Sequence, residues 1–227
     1  MVKGVIFDLD GTILDSIDAL WRAFNVGVTA FELEPVVKER LLGLMNQGGT
    51  LVEILVEIYP EMGDESASDT VGGIMAEIKK EYLARGKEEV RFSSGALELF
   101  DLLRARGLRM GVVTSRNSPP ERLWHELERR QIAQFIDAVV TAVEASRKPS
   151  PDPIIECLKR LELLSRECIF VGDSQADIRA GKAAGVRTVA VATGVSARGE
   201  LEAESPDFTF DNLHGLIENL DFILSER

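Results

Sequence analysis

Val2-Lys3-Gly4-Val5-Ile6-Phe7-Asp8-Leu9-Asp10-Gly11-Thr12 opens this chain with an apolar run that ends in two carboxylates, a glycine and a hydroxyl. Such a run reads as a strand buried in a parallel sheet. In an open α/β sheet, ligands sit beyond the carboxyl ends of the strands, which puts Asp8 and Asp10 at the mouth of a site. Two like charges one residue apart need a cation or a shared proton there. Gly11 permits a sharp exit, so the bend can aim one carboxylate at a ligand and turn its neighbour elsewhere.

Further strand-like runs lie at Arg109 to Thr114, Ala138 to Thr141, Cys168 to Gly172 and Thr188 to Ala192, with helix-like segments between most of them. That alternation predicts a doubly wound, Rossmann-like parallel sheet. The interval between the first two strands is the exception. It is helical in pattern, with apolar stripes at Ala19, Leu20, Ala23 and Phe24, at Leu51, Ile54, Leu55 and Ile58, and at Ile74, Ile78 and Tyr82. This is too much helix for a plain crossover. The expectation is an α/β core formed by residues 1–15 and 90–227, with an inserted α-helical cap subdomain at 16–89. Phe31 to Val36, Tyr59 to Asp69 and Arg85 to Glu89 read as its turns or hinges, and Gly43 to Thr50 as a loop between two of its helices. Leu97, Leu99, Leu102 and Leu103 mark an amphipathic helix ending at Gly107, Leu123 to Arg130 a polar one, and Leu213 to Leu224 a terminal one.

The composition is that of an ordinary globular chain, with 227 residues, 45% of them hydrophobic and 28% charged. The net charge of −12 works against broad binding to nucleic acid or anionic membranes. No run approaches the roughly 20 apolar residues of a membrane span, and the first residues enter a strand without a cationic leader, so a cytoplasmic location is expected. Cys157 and Cys168 have the spacing of neither a zinc site nor a disulfide framework and read as small buried hydrophobes.

Four strand ends or loops converge on one edge of this sheet, bringing Asp8 and Asp10, Thr114, Lys148, and the pair Asp173 and Asp177. Carboxylates suit a hard divalent ion such as magnesium, while the hydroxyl and the lysine suit phosphate oxygens. A site so built can neutralise a phosphoryl group while an aspartate attacks phosphorus. His125 and His214 fall outside this group, and Arg116, Asn117 and Arg147, of types more often found at the surface, are assigned no role.

Asp8-Leu9-Asp10-Gly11-Thr12, Val112-Val113-Thr114-Ser115, Lys148-Pro149, and Gly172-Asp173-Ser174 with Asp177 resemble the four successive motifs of the haloacid dehalogenase superfamily, in order and in approximate spacing. The resemblance covers the whole chain. It implies that Asp8 is the nucleophile, forming an aspartyl-phosphate, and that Asp10 is the acid and base that protonates the leaving alcohol and then activates water. It further implies that Thr114, Ser115 and Lys148 bind the phosphoryl group and that Asp8, Asp173 and the main-chain carbonyl of Asp10 bind Mg2+. Asp177 would support the metal shell or Lys148. For Asp10 to hold a proton, its pKa is expected to be raised.

The presence of Asp10 separates the chain from the superfamily's dehalogenase and phosphonatase branches. A mutase of the β-phosphoglucomutase type carries a cap histidine where Leu20 stands here. The chain looks most like the phosphoglycolate phosphatase group, with Gly43 to Thr50, a loop rich in glycine and amides that joins two cap helices, expected as the specificity element, although the arginine that relatives often carry in such a loop is absent from it, and Ser94-Gly95 replaces the common Pro-Gly. The expected activity is Mg-dependent hydrolysis of a small phosphorylated metabolite, with 2-phosphoglycolate a candidate. A sugar phosphate, a nucleotide or pyrophosphate, or a mutase-type phosphotransfer, is the alternative. The protein is expected to work as a monomer or a homodimer.

Overall fold

The computed structural model describes residues 1–225, and for 86–88 the backbone alone. The chain begins with β1 (Gly4–Asp8) and the short β2 (Leu14–Asp15). Four helices follow, α1 (Ile17–Thr29), α2 (Lys38–Asn46), α3 (Leu51–Ile58) and α4 (Ser68–Glu89). The chain returns through β3 (Arg91–Phe92), α5 (Ala96–Ala105), β4 (Arg109–Val113), α6 (Pro120–Arg129) and β5 (Ala138–Val140). It then adds α7 (Asp152–Leu161), β6 (Cys168–Gly172), α8 (Gln175–Ala183), β7 (Arg187–Val191), α9 (Arg198–Ala203), β8 (Phe208–Phe210), α10 (Leu213–Glu218) and α11 (Leu220–Ser225).

Six strands form one parallel sheet in the order β5-β4-β1-β6-β7-β8, giving the doubly wound α/β architecture. β1 lies between β4 and β6, so the winding reverses there and a crevice opens at its carboxyl end. The pleat sends Val5 and Phe7 into one apolar layer, where Phe7 meets Phe100 of α5 edge to face at 5.6 Å. It sends Ile6 into the opposite layer, with Val113, Val140, Phe170 and residues of α7. Asp8 shares the parity of Ile6.

A third apolar cluster is drawn wholly from residues 23–78, with Phe24, Val28, Ile54, Leu55, Ile74 and Ile78 among its members. α1 and α4 form its spine and approach closely at Gly27, where an added Cβ would lie 2.3 Å from the Ile78 side chain. Entry to and exit from this helical segment are clipped together by β2 and β3, which pair antiparallel through Leu14↔Phe92 and Asp15↔Arg91.

Several local expectations need correction. Arg85 to Glu89, read as a turn, continues α4. Much of the Gly43 to Thr50 loop is helical, because α2 runs to Asn46 and leaves 47–50 as the connection. The terminal helix is two helices broken at Asn219, whose side-chain amide donates to the Gly215 carbonyl at 2.8 Å. β8 and the β2–β3 clip, only two or three residues long, carry too little periodicity to be predicted. Cys157 and Cys168 are buried free thiols as expected. Among the described residues no helix is long and apolar enough to cross a membrane.

Candidate active site

Asp8 closes β1 with its carboxyl buried at the sheet's carboxyl edge. Thr114 follows β4, Asp173 follows β6, Asp177 lies in the first turn of α8, and Lys148 comes from the loop before α7. All five are at least 94% buried. Lys148 Nζ donates to Asp8 Oδ1 and to Asp177 Oδ1, the latter at 2.5 Å. The second oxygen of Asp177 is held by its own helix start, accepting from Ser174 Oγ at 2.6 Å and Ser174 N at 3.0 Å. This is the reciprocal capping box of an N-terminus, and it aims the free oxygen at the lysine.

Asp173 accepts from Thr12 Oγ1 at 2.7 Å and from the Val195 amide at 2.8 Å. Backbone crowds it from both sides: a Cβ at Gly11 would lie 2.5 Å from its carboxylate, and one at Gly194 only 1.8 Å. Gly11 also has φ +89°, a conformation that L side chains avoid. Glycine in the Asp8-to-Thr12 run thus serves the bend and the close approach together.

Burial raises the pKa of Asp8, with the charges of Asp177 and Asp173 adding to it against the opposing pull of Lys148. Burial likewise pushes Asp173 up to about 7, helped by Asp177. Burial would lower Lys148, but Asp177 and Asp8 outweigh it and hold the ammonium above its ordinary value.

Asp10 sits apart from this group. Its carboxyl is held by Arg116, with Nε donating to Oδ2 at 2.6 Å and Nη2 to Oδ1 at 2.7 Å, while Ser16 Oγ donates to Oδ1 at 2.7 Å. Burial pushes its pKa up, but the guanidinium and the Ser16 hydroxyl outweigh that and leave it lowered. The expected raised pKa is therefore reversed, and the main cause is Arg116, a residue given no role from the sequence. Arg116 is only 21% exposed in its side chain and is fixed in turn by Glu126 of α6 at 2.7 Å and Tyr82 of α4 at 3.1 Å. Its amide donates to Thr114 Oγ1 at 3.2 Å. Ser115 is exposed at the rim, as is Asn117, and Arg147 is half-buried.

Residues 5–191 match the family model for haloacid dehalogenase-like hydrolases. The chain belongs to that family. The phosphoglycolate phosphatase of Escherichia coli K12 is 28% identical over 245 residues, covering 100% of this chain and 95% of that protein. A crystal structure from Haemophilus somnus 129PT, provisionally named a phosphoglycolate phosphatase, superposes with a TM-score of 0.84 at 23% identity over 96% of this chain and 98% of that one. A solved structure from Bacteroides vulgatus, provisionally named a β-phosphoglucomutase, has a TM-score of 0.78 at 23% identity over 99% and 91%. These two structures share the fold.

In this haloacid dehalogenase-like chain, oxygens of Asp8, Asp173 and Asp177 lie within 4.8 Å of one another. Three buried carboxylates, two of them (Asp8 and Asp177) bridged by Lys148, form a hard, all-oxygen set whose charge a divalent cation such as magnesium would balance. Asp177, expected behind the metal shell or on Lys148, stands inside this cluster and on Lys148. The Asp10 side chain does not join the cluster.

Sequence reading assigned no role to Arg116 or Ser16, and placed Asn46 only within the 43–50 stretch expected to set specificity, without its partners. Asn46, at the end of α2, is buried, and its Oδ1 accepts from the Gln175 amide at 2.8 Å and from Ser196 Oγ. It ties the helical segment to the start of α8. Arg116 had one available signal, a cation two residues beyond Thr114 in a chain short of positive charge. Asn46 had the amide-rich composition of 43–50, and Ser16 had none.

Proposed function

We propose that the protein is a magnesium-dependent phosphatase that hydrolyses a small phosphomonoester through an aspartyl-phosphate on Asp8. The observation that carries this reading is the buried Asp8–Lys148–Asp177 chain next to Asp173 at the switch point of the sheet. A carboxylate at a strand end, held by one fixed cation, is placed for in-line attack on phosphorus. As the Asp8 Oδ–P bond forms and the P–O bond to the alcohol breaks, Asp10, which has to take up a proton on Oδ2 against the pull of Arg116, gives that proton to the alcohol. Asp10 then takes a proton from the water that attacks the aspartyl-phosphate, returning Asp8 and inorganic phosphate. Thr114, Ser115 and Lys148 hold the phosphoryl oxygens. Asp8, Asp173 and the Asp10 carbonyl would hold magnesium, whose charge there favours ionised Asp8 and offsets the phosphoryl charge.

The helices α1–α4 act in this reading as a cap, residues 16–89 over a core of 1–15 and 90–227, that excludes bulk water and reads the rest of the substrate. The phosphoglycolate phosphatase relatives support 2-phosphoglycolate as the first substrate to test. The absence of arginine in 43–50 argues for weaker selection of a second anionic group, which keeps sugar phosphates, nucleotides and pyrophosphate in the panel. Leu20, in place of a cap histidine, disfavours mutase-type transfer.

The test is phosphate release from a panel of phosphomonoesters, with and without magnesium, for the wild type and Asp8→Asn. Magnesium-dependent turnover lost in Asp8→Asn supports the mechanism, and preference for 2-phosphoglycolate supports the substrate. Full turnover by Asp8→Asn would overturn the nucleophile assignment.

A further inference from the structure

Arg116 belongs to none of the groups assigned above to phosphoryl or metal binding, yet it is the most heavily engaged side chain at the site's rim. Its guanidinium reaches three elements at once: Asp10 beyond β1, Glu126 on α6 and Tyr82 on α4. Glu126 is itself held by Arg130 Nε at 3.2 Å. Tyr82 packs against both the sheet-side cluster of Phe7 and Phe100 and the helical cluster of Phe24 and Ile74, so it marks the seam between them.

The anchoring of Asp10 is unequal. Oδ1 accepts two bonds, from Ser16 Oγ and Arg116 Nη2, whereas Oδ2 accepts one, from Arg116 Nε. Giving up that single bond frees Oδ2 for proton transfer while Oδ1 stays fixed by two donors. A planar fork defines the carboxyl's plane as well as its place, which a lysine at the same position could not do.

We infer that Arg116 is the positioning residue of the acid–base carboxylate, holding Asp10 by Oδ1 so that Oδ2 can serve the leaving oxygen, with Tyr82 tying that placement to α4. The inference rests on the reading of Asp10 as acid and base. Because the guanidinium is taken up by Asp10, Glu126 and Tyr82, Arg116 acts on proton transfer rather than on phosphate affinity.

The experiment compares wild type, Asp10→Asn and Arg116→Met in magnesium. It uses p-nitrophenyl phosphate, whose leaving group needs little protonation, and an alkyl phosphomonoester that the wild type turns over. The value of kcat/KM covers the steps up to release of the alcohol, where only the alkyl ester needs the acid. Arg116→Met should lower kcat/KM for the alkyl ester about tenfold to hundredfold, the cost of a misplaced acid. The aryl ester should change by less than about threefold, and the inhibition constant of inorganic phosphate should stay put, because phosphate binding is untouched.

Equal losses on both esters, or weakened phosphate inhibition, would overturn the inference by making Arg116 a phosphate ligand or a merely structural group. If Asp10→Asn discriminates between the esters and Arg116→Met does not, the inference fails alone. If Asp10→Asn does not discriminate, the acid–base reading has failed first and the inference with it. Should Arg116→Met not fold, Arg116→Lys keeps the charge, loses the fork and must show the same discrimination. Wild-type behaviour of Arg116→Lys on both esters counts against the fork.

Discussion

Lys148 is wedged between Asp8 and Asp177 with its side chain 5% exposed, so its removal leaves two buried carboxylates facing each other. Breaking a buried ion pair on one side costs roughly 3–5 kcal/mol. Lys148→Met should accordingly lower the urea midpoint as well as abolish turnover, whereas a lysine that served only to hold phosphate would lose turnover and keep its midpoint. Asp173 makes a separate prediction about pH. Its carboxyl is raised from an ordinary 3.8 to about 7, so between those values the folded chain binds the proton more readily than the unfolded one. Stability from this group therefore falls as pH rises from about 4 to about 7 and is lowest above that. In a chelator, urea unfolding of the wild type and of Asp173→Asn at pH 5 and pH 8 isolates this effect. The wild type should lose ground against the variant at the higher pH, and a gap that does not move would show that Asp173 is not destabilised by its burial. Both effects arise from one design, in which carboxylates are kept dry and crowded at a strand end where charge is wanted for chemistry.

Strand ends and helix starts supply nearly every group at the site, which explains what the sequence conveyed and what it withheld. β1, β4, β6 and β7 are buried on both sides of a parallel sheet, so each appears as a continuous apolar run, and the polar residue that ends the runs of β1, β4 and β6 appears as a site candidate. Asp8, Thr114 and Asp173 were found in this way. Asp177 entered with Asp173 as part of the Gly172-Asp173-Ser174 motif, and the structure adds that it closes a capping box with Ser174. Arg116 and Asn46 could not be placed in this way, because their partners lie on elements distant in sequence: Arg116 meets Asp10 from 106 residues away, and Asn46 meets Gln175 from 129. Charge at Arg116 and an amide at Asn46 hint at a role, but neither names the partner. Gly27 shows the same limit in packing, since nothing in its sequence context announces that Ile78 of α4 sits where a methyl group would go. Gly27→Ala should destabilise the protein by about 1–3 kcal/mol through overpacking at the α1–α4 contact, despite alanine's better helix propensity. A thermal melt that rises instead would mean that α1 and α4 can separate slightly without loss.

The molecule as a whole is two kinds of core joined at a seam. Two apolar layers sandwich the parallel sheet, and the third cluster lies entirely within residues 23–78. Covalently, the helical segment joins the sheet layers only through the stretches that carry β2 and β3. Across the seam, polar contacts do much of the joining: Asn46 to Gln175 and Ser196, and Tyr82 to Arg116. Hydrogen bonds of this kind contribute about 1 kcal/mol each, whereas the sheet is held by buried apolar layers. The seam should therefore open locally well before the sheet unfolds. Amide exchange read by mass spectrometry should be fast in α2 and at 47–50 and slow in β1, β4 and β6. Adding magnesium with orthovanadate, a mimic of the phosphoryl group in flight, should slow exchange in α2 and at 47–50 by about tenfold, an apparent coupling near 1.4 kcal/mol. Asn46→Ala should remove most of that protection and raise KM while leaving β1, β4 and β6 unchanged, because it deletes the acceptor that joins α2 to α8 and touches neither sheet layer. Equal protection in the wild type and Asn46→Ala would place the joint elsewhere, with the Tyr82–Arg116 contact the next to remove.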